Sequence, residues 1–144
     1  MAQHGEDRRE ENPVVVVACC GPKLTEPAPA EDLYISDLFK KARTYAERRG
    51  RWFILSALHG LLDPSMVIAP YDVTLKQMPA AKRREWGRRV RDQMESAGLI
   101  GLPLIALAGA DYVEPLRAAG LTVEQPMKGL GIGEQKRWLK KQNS

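Results

Sequence analysis

The hydrophobic pattern changes period several times along the chain, and each change marks an element. Residues 14–18, four valines and an alanine behind Pro13, form a β-branched run without polar interruption, which predicts a strand buried on both faces. The apolar runs at 52–55 and 103–108 predict two more. Between and after them the spacing becomes helical. Ser36 is a good N-cap with Asp37 in the first turn, and Leu38, Ala42, Tyr45 and Ala46 share one face of a helix that Gly50 stops. Pro79 suits the first turn of a long helix to about residue 97, with Ala81, Trp86, Val90 and Met94 on its apolar face and Gly98 closing it. Shorter helices are predicted over 112–119, ended by Gly120, and over 134–141; residues 121–123 read as a short fourth strand. Residues 24–35, with Pro27 and Pro29, read as an extended loop.

The order β-α-β-α-β-α-β-α predicts an α/β fold: one three-layer domain from residue 13 to 144, with a mostly parallel central sheet and helices on both faces. In such a sheet the loops that follow the strands emerge on one edge. Here they are 19–24, 56–72, 109–111 and 126–133, which hold both cysteines, His59 and several carboxylates. The functional site is expected there, centred on 56–72, where a strand delivers Ser56, His59, Gly60, Asp63, Tyr71 and Asp72 into a segment stiffened by Pro64 and Pro70.

Composition sharpens the picture in four ways. With 44% hydrophobic and 28% charged residues in 144, the chain is globular in type and long enough for one core. No apolar run approaches a membrane span, and residues 1–12 read as a disordered polar leader unlike a signal peptide, so a cytoplasmic protein with no membrane contact is expected. Cys19 and Cys20 are adjacent and are the only cysteines, which fits a reducing compartment; with no CxxC pair and no histidine cluster, neither a metal nor a cofactor is expected. The leader carries four acids against two arginines, a net of −2, so the remainder carries +6 of the overall +4. A polyanionic partner suits that excess.

Several residue types in these loops could carry chemistry. Cys20, beside Gly21 and near Lys23, is the cysteine better placed to face the loops, although free cysteines are usually small core residues. His59, directly after a strand, could donate a proton or a hydrogen bond, or be structural. Asp72 is the favoured carboxylate, its alternative being a turn cap; Asp63, just before Pro64, looks like such a turn residue. Tyr71 could stack on a planar base or close the core. The glycines 129, 131 and 133 resemble half of a helix-hairpin-helix, and with Lys128, Lys136, Arg137, Lys140 and Lys141 they would make an anion site. Lys82, Arg83, Arg84, Arg88, Arg89 and Arg91 crowd the long helix, as a solvated face or as a track for a phosphate backbone.

At these motifs a family resemblance enters. Ala18-Cys19-Cys20-Gly21-Pro22-Lys23-Leu24 and the stretch from Pro27 through Tyr34 to Ser36 resemble the opening of small bacterial and phage proteins related to the YaaA peroxide-stress family. Leu55-Ser56-Ala57-Leu58-His59-Gly60-Leu61-Leu62-Asp63-Pro64 with Ile68-Ala69-Pro70-Tyr71-Asp72 is the most specific part, and Gly129-Leu130-Gly131-Ile132-Gly133-Glu134-Gln135 is similar to that group's C-terminal signature. The group's first motif often reads cysteine-serine; here Cys20 takes the serine's place. The resemblance implies DNA binding and, for the small relatives, a DNA glycosylase that removes a modified pyrimidine such as 5-hydroxymethyluracil.

The expectation is therefore base excision from DNA by N-glycosidic hydrolysis, on a duplex with a flipped base and without an obligatory protein partner. Asp72 and His59 would be catalytic. Cys20, Gly21, Lys23, Tyr34, Ser56, Gly60 and Tyr71 would bind the base, with N–H groups around Gly21 and Gly60 taking up charge on its oxygen. Lys128, Gly129, Gly131, Gly133, Lys136 and Arg137 would hold phosphates. The alternatives are a non-catalytic DNA-binding protein of stress protection, and a nucleotide-handling enzyme with no duplex partner.

Overall fold

The structure, a computed structural model, describes residues 13–18 and 21–144; the expected leader and both cysteines lie outside them. The valine run forms β1 (Val14–Ala18), followed by a short β2 (Ala28–Pro29), the single-turn α1 (Ala30–Leu33) and α2 (Asp37–Arg49). Next come β3 (Trp52–Ser56), β4 (Gly60–Leu62), β5 (Val67–Ile68), a 3-10 turn at Leu75–Gln77 and the long α3 (Ala80–Ser96). The chain closes with β6 (Leu104–Leu107), α4 (Ala110–Ala118) and α5 (Ile132–Gln142).

The fold is mixed α/β, with a four-stranded, mostly parallel sheet in the order β4-β3-β1-β6. Strand β1 is central and pairs in parallel with β3 (Val15 opposite Trp52) and with β6 (Val14 opposite Leu104). Because side chains alternate along a strand, its valines divide between two cores. Val15 and Val17 pack with Phe39, Ala42, Tyr45 and Ala46 of α2 and Leu139 of α5. Val14 and Val16 pack with Trp86, Val90 and Met94 of α3 and Val113 and Leu116 of α4. No polar residue fits either side of such a strand, which is why the run reads as unbroken valine.

Local signals account for the helix ends. Ser36 Oγ accepts from Phe39 N at 3.1 Å, the expected N-cap, and Gly98 and Gly120 take positive φ just beyond α3 and α4. At the start of α3, Pro79 is the N-cap residue rather than the first helical one, and Ala81 is exposed, off the apolar face expected for it.

Three expectations for the strands and loops are corrected. The 56–72 segment is not one loop: β4 folds back antiparallel on β3, and β5 pairs antiparallel with β2 in a separate two-stranded ribbon. The 24–35 segment is correspondingly not an extended loop, since it contains β2 and α1. Residues 121–123 form no strand; the sheet edge is met instead by a single parallel bridge of Glu124 to Ile105, with Glu124 N on Leu104 O and Glu124 O taking Ala106 N, both at 2.8 Å. The sheet therefore reads β1-α2-β3, then crosses over β1 through α3 to β6. Among the described residues no helix is long and apolar enough to cross a membrane.

Candidate functional site

The turn after β3 is assembled almost entirely by hydrogen bonds to its own backbone. Ser56 is fully buried, and its Oγ accepts from Leu58 N (3.2 Å) and His59 N (2.9 Å). From α3, Arg89 donates to Leu58 O (2.8 Å) and His59 O (3.2 Å), while Gln93 Nε2 donates to His59 O (3.1 Å). Gln93 Oε1 accepts from Leu61 N at 2.8 Å, and Trp86 Nε1 donates to Ser56 O at 2.9 Å. Gly60 closes the turn at φ +76, where a Cβ would stand 2.3 Å from Gln93 Oε1. Ser56 and Gly60, expected against the base, thus build the turn, and the N–H groups of residues 58, 59 and 61 already have acceptors. Gly21, the other glycine expected there, is exposed at φ +98.

What the turn presents is His59. Its ring meets Tyr71 edge-on at 5.6 Å between centroids. Burial first, then the nearby Arg89 charge, hold the imidazole below its ordinary value, so it is neutral near pH 7 and offers an N–H as a hydrogen-bond donor. Tyr71 Oη lies 2.5 Å from Tyr34 Oη. Lys23, whose backbone bridges that of Tyr34, sets its ammonium 4.9 Å from the Tyr71 ring centre and 5.7 Å from that of Tyr34. Four residues expected from distant parts of the chain therefore meet: Lys23, Tyr34, His59 and Tyr71. Asp72 follows in sequence and is exposed, with no ion pair to any described residue. Asp63 is the expected turn residue; its Oδ1 accepts from Ser65 N and Oγ, and those bonds lower its pKa. Cys20, expected at the base edge, lies outside the described residues.

Tyr34, almost wholly buried, links this cluster to a second feature. Its ring stands 5.2 Å from Phe39, and Phe39 lines a cavity of about 470 Å³. That cavity sits past the ends of β1 (Ala18) and β6 (Leu107), walled by α2, α4 and the start of α5. It lies where the chain leaves β1 for one neighbouring strand and returns on the other side, the crevice in which doubly wound sheets take their ligands. Its size is in the range of small-molecule sites, and most of its lining is apolar. Gln125 and Gln135 are fixed there by Nε2 bonds to Ala108 O (3.0 Å) and Leu130 O (2.9 Å). The expected site centre at 56–72 is thus flanked by a cavity on the other side of β1, which has no signature in the sequence beyond the position of its strands.

The expected phosphate turn belongs partly to this cavity. Lys128 and Gly129 line it, and Gly131 N donates to Glu134 Oε1 at 3.2 Å, so the protein's own carboxylate occupies the start of α5. Gly133 and Arg137 are exposed; Lys136 pairs with Asp37 at 3.7 Å. Sequence reading missed Arg89 and Gln93 as parts of the site. Their four-residue spacing puts both on one helix face, but nothing marks that face as reaching a turn. Among the described residues no group of three His, Cys, Asp or Glu side chains could hold a metal ion.

No curated protein matches the chain. A family model does, over residues 14–141, and the chain belongs to the family it describes, "Family of unknown function (DUF6884)".

Proposed function

We propose that this protein is a monofunctional DNA N-glycosylase that removes a modified pyrimidine of the 5-hydroxymethyluracil type, a base-excision activity of DNA repair. The observation that carries the reading is the meeting of Lys23, Tyr34, His59 and Tyr71 at the carboxyl edge beside an exposed Asp72. The Tyr71 ring and the Lys23 ammonium suit a flipped pyrimidine with electron-rich carbonyl oxygens. The reaction breaks the C1′–N bond and forms a C1′–O bond to water. The bonding pair leaves with the base, whose oxygen takes a hydrogen bond from neutral His59 and whose nitrogen is protonated by solvent. Asp72 faces the cationic sugar and accepts the proton of the attacking water. Tyr71 supplies the stacking face, Lys23 and Gly21 N–H draw the departing charge, and Ser56 and Gly60 act by positioning His59. The same reading takes residues 13–144 as one three-layer domain, supported by the two cores on opposite sides of β1, and assigns its action to the cytoplasm.

The test is incubation with duplexes carrying uracil, 5-hydroxymethyluracil or oxidised bases, followed by alkali to cut abasic sites. Expected are breaks with the wild type that are lost in Asp72→Ala and His59→Ala while DNA binding is retained. Tight binding without cleavage of any substrate favours the non-catalytic DNA-binding reading. A second catalytic reading is favoured by the cavity at the β1–β6 crevice, where a nucleotide-handling enzyme would seat its substrate; binding of free nucleosides or nucleotides without any affinity for DNA at low salt selects it.

A further inference from the structure

The backbone of residues 58 and 59 is completely accounted for. Both N–H groups end on Ser56 Oγ, and both carbonyls are taken by Arg89, one of them also by Gln93. Such a turn is rigid, and it has only two side chains to offer to a partner. One is His59. The other is Leu58, which is 42% exposed although buried apolar side chains surround the strand it follows. A single exposed leucine is ordinary on a protein surface. A half-exposed leucine in a turn held by five hydrogen bonds, next to the imidazole of the site, is a different matter.

We propose that Leu58 is a wedge that enters the base stack of duplex DNA and fills the space left by the extruded nucleotide. The inference rests on the DNA reading above. Proteins that unstack DNA insert an apolar side chain between base steps, and the inserted group must not give way when the stack pushes back. The clamp of Arg89 and Gln93 provides that stiffness. Leu58 is a positioning residue: it makes no contact with the reacting bond and acts by holding the target base out of the stack, next to His59.

The experiment compares release of the target base from a duplex and from the same strand alone, for wild type, Leu58→Ala and Leu58→Met. A single strand needs no extrusion, so damage to the fold lowers both rates together while loss of a wedge lowers the duplex rate selectively. The duplex-to-single-strand ratio is expected to fall about tenfold or more in Leu58→Ala, equivalent to ~1.4 kcal/mol or more, and to recover in Leu58→Met. An unchanged ratio overturns the wedge and leaves the glycosylase reading standing. If the wild type acts on duplex alone, fluorescence of 2-aminopurine beside the target base replaces the ratio. It should rise with wild type and Leu58→Met and not with Leu58→Ala, and an equal rise in all three overturns the wedge. If the wild type releases no base from any substrate, the glycosylase reading falls and the wedge with it.

Discussion

At the scale of single residues, the site depends on side chains that serve the backbone before they serve a ligand. Ser56 is the clearest case. Its buried oxygen is the acceptor for two N–H groups, so Ser56→Ala should cost about 1–3 kcal/mol and loosen the turn that carries His59. The urea midpoint should drop without a change in slope; an unaltered midpoint would show that water replaces the hydroxyl at no cost. His59 itself gives a pH dependence of known sign. Its folded pKa lies below the ordinary 6.5 because burial and Arg89 oppose the charged form. Below about pH 6.5 the unfolded chain takes a proton that the folded one resists, so the contribution of His59 is constant above that pH and turns increasingly unfavourable as pH falls through it toward the folded value. His59→Gln removes this titration and should flatten the fall in stability between about pH 7 and about pH 5. A wild-type slope in the variant sinks the assignment.

At the scale of elements, packing distance decides which substitutions matter. Helix α3 crosses α4 with backbone against backbone at Gly87, where an added Cβ would stand 2.3 Å from Pro115 O. Alanine is the better helix former by about 1 kcal/mol, but relieving that overlap requires the two helices to separate, which overpacked cores resist by about 1–3 kcal/mol. Since the obstacle is backbone and cannot swing aside, the second effect should win and Gly87→Ala should destabilise; a rise in urea midpoint would show that the crossing is looser than it stands. This crossing was not legible in the sequence, where Gly87 is a lone glycine inside an amphipathic pattern. What was legible were features written in local chemistry: the valine strand, the Ser36 cap, the glycines after α3 and α4. The two- and three-residue strands β2, β4 and β5 span too few positions for a period-2 signal. In the site, the convergence of Lys23, His59 and Tyr71 followed from strand order, because parallel strands bring their following loops to one edge, whereas Tyr34 was singled out only through the family resemblance. The clamp by Arg89 and Gln93 and the cavity did not, since both depend on how far a helix sits from a turn.

At the scale of the whole molecule, the question is where the excess positive charge is available to a polyanion. Many cations are already engaged. Arg43 pairs with Glu31, Asp32 and Glu47, Lys41 and Lys136 with Asp37, Arg83 with Asp111, and Arg48, Arg89 and Arg117 donate to backbone carbonyls. Arg84, Arg88 and Arg91 form no ion pair with any described residue, and with Asp92 they border a depression of about 280 Å³ beside the end of α4. Their spacing of four and three residues puts them in one row about 10 Å long on α3, which matches roughly three phosphates of one strand. The expected phosphate turn is less available, since Glu134 caps it and Asp37 holds Lys136. If DNA is the partner, log-log plots of binding against salt should flatten by about one unit for each of Arg84→Gln, Arg88→Gln and Arg91→Gln, with affinity falling equally for all sequences. Lys128→Gln and Arg137→Gln should change the slope by less. The reverse ranking would return the phosphate contacts to the turn before α5, and slopes untouched by all five would remove the duplex from this surface.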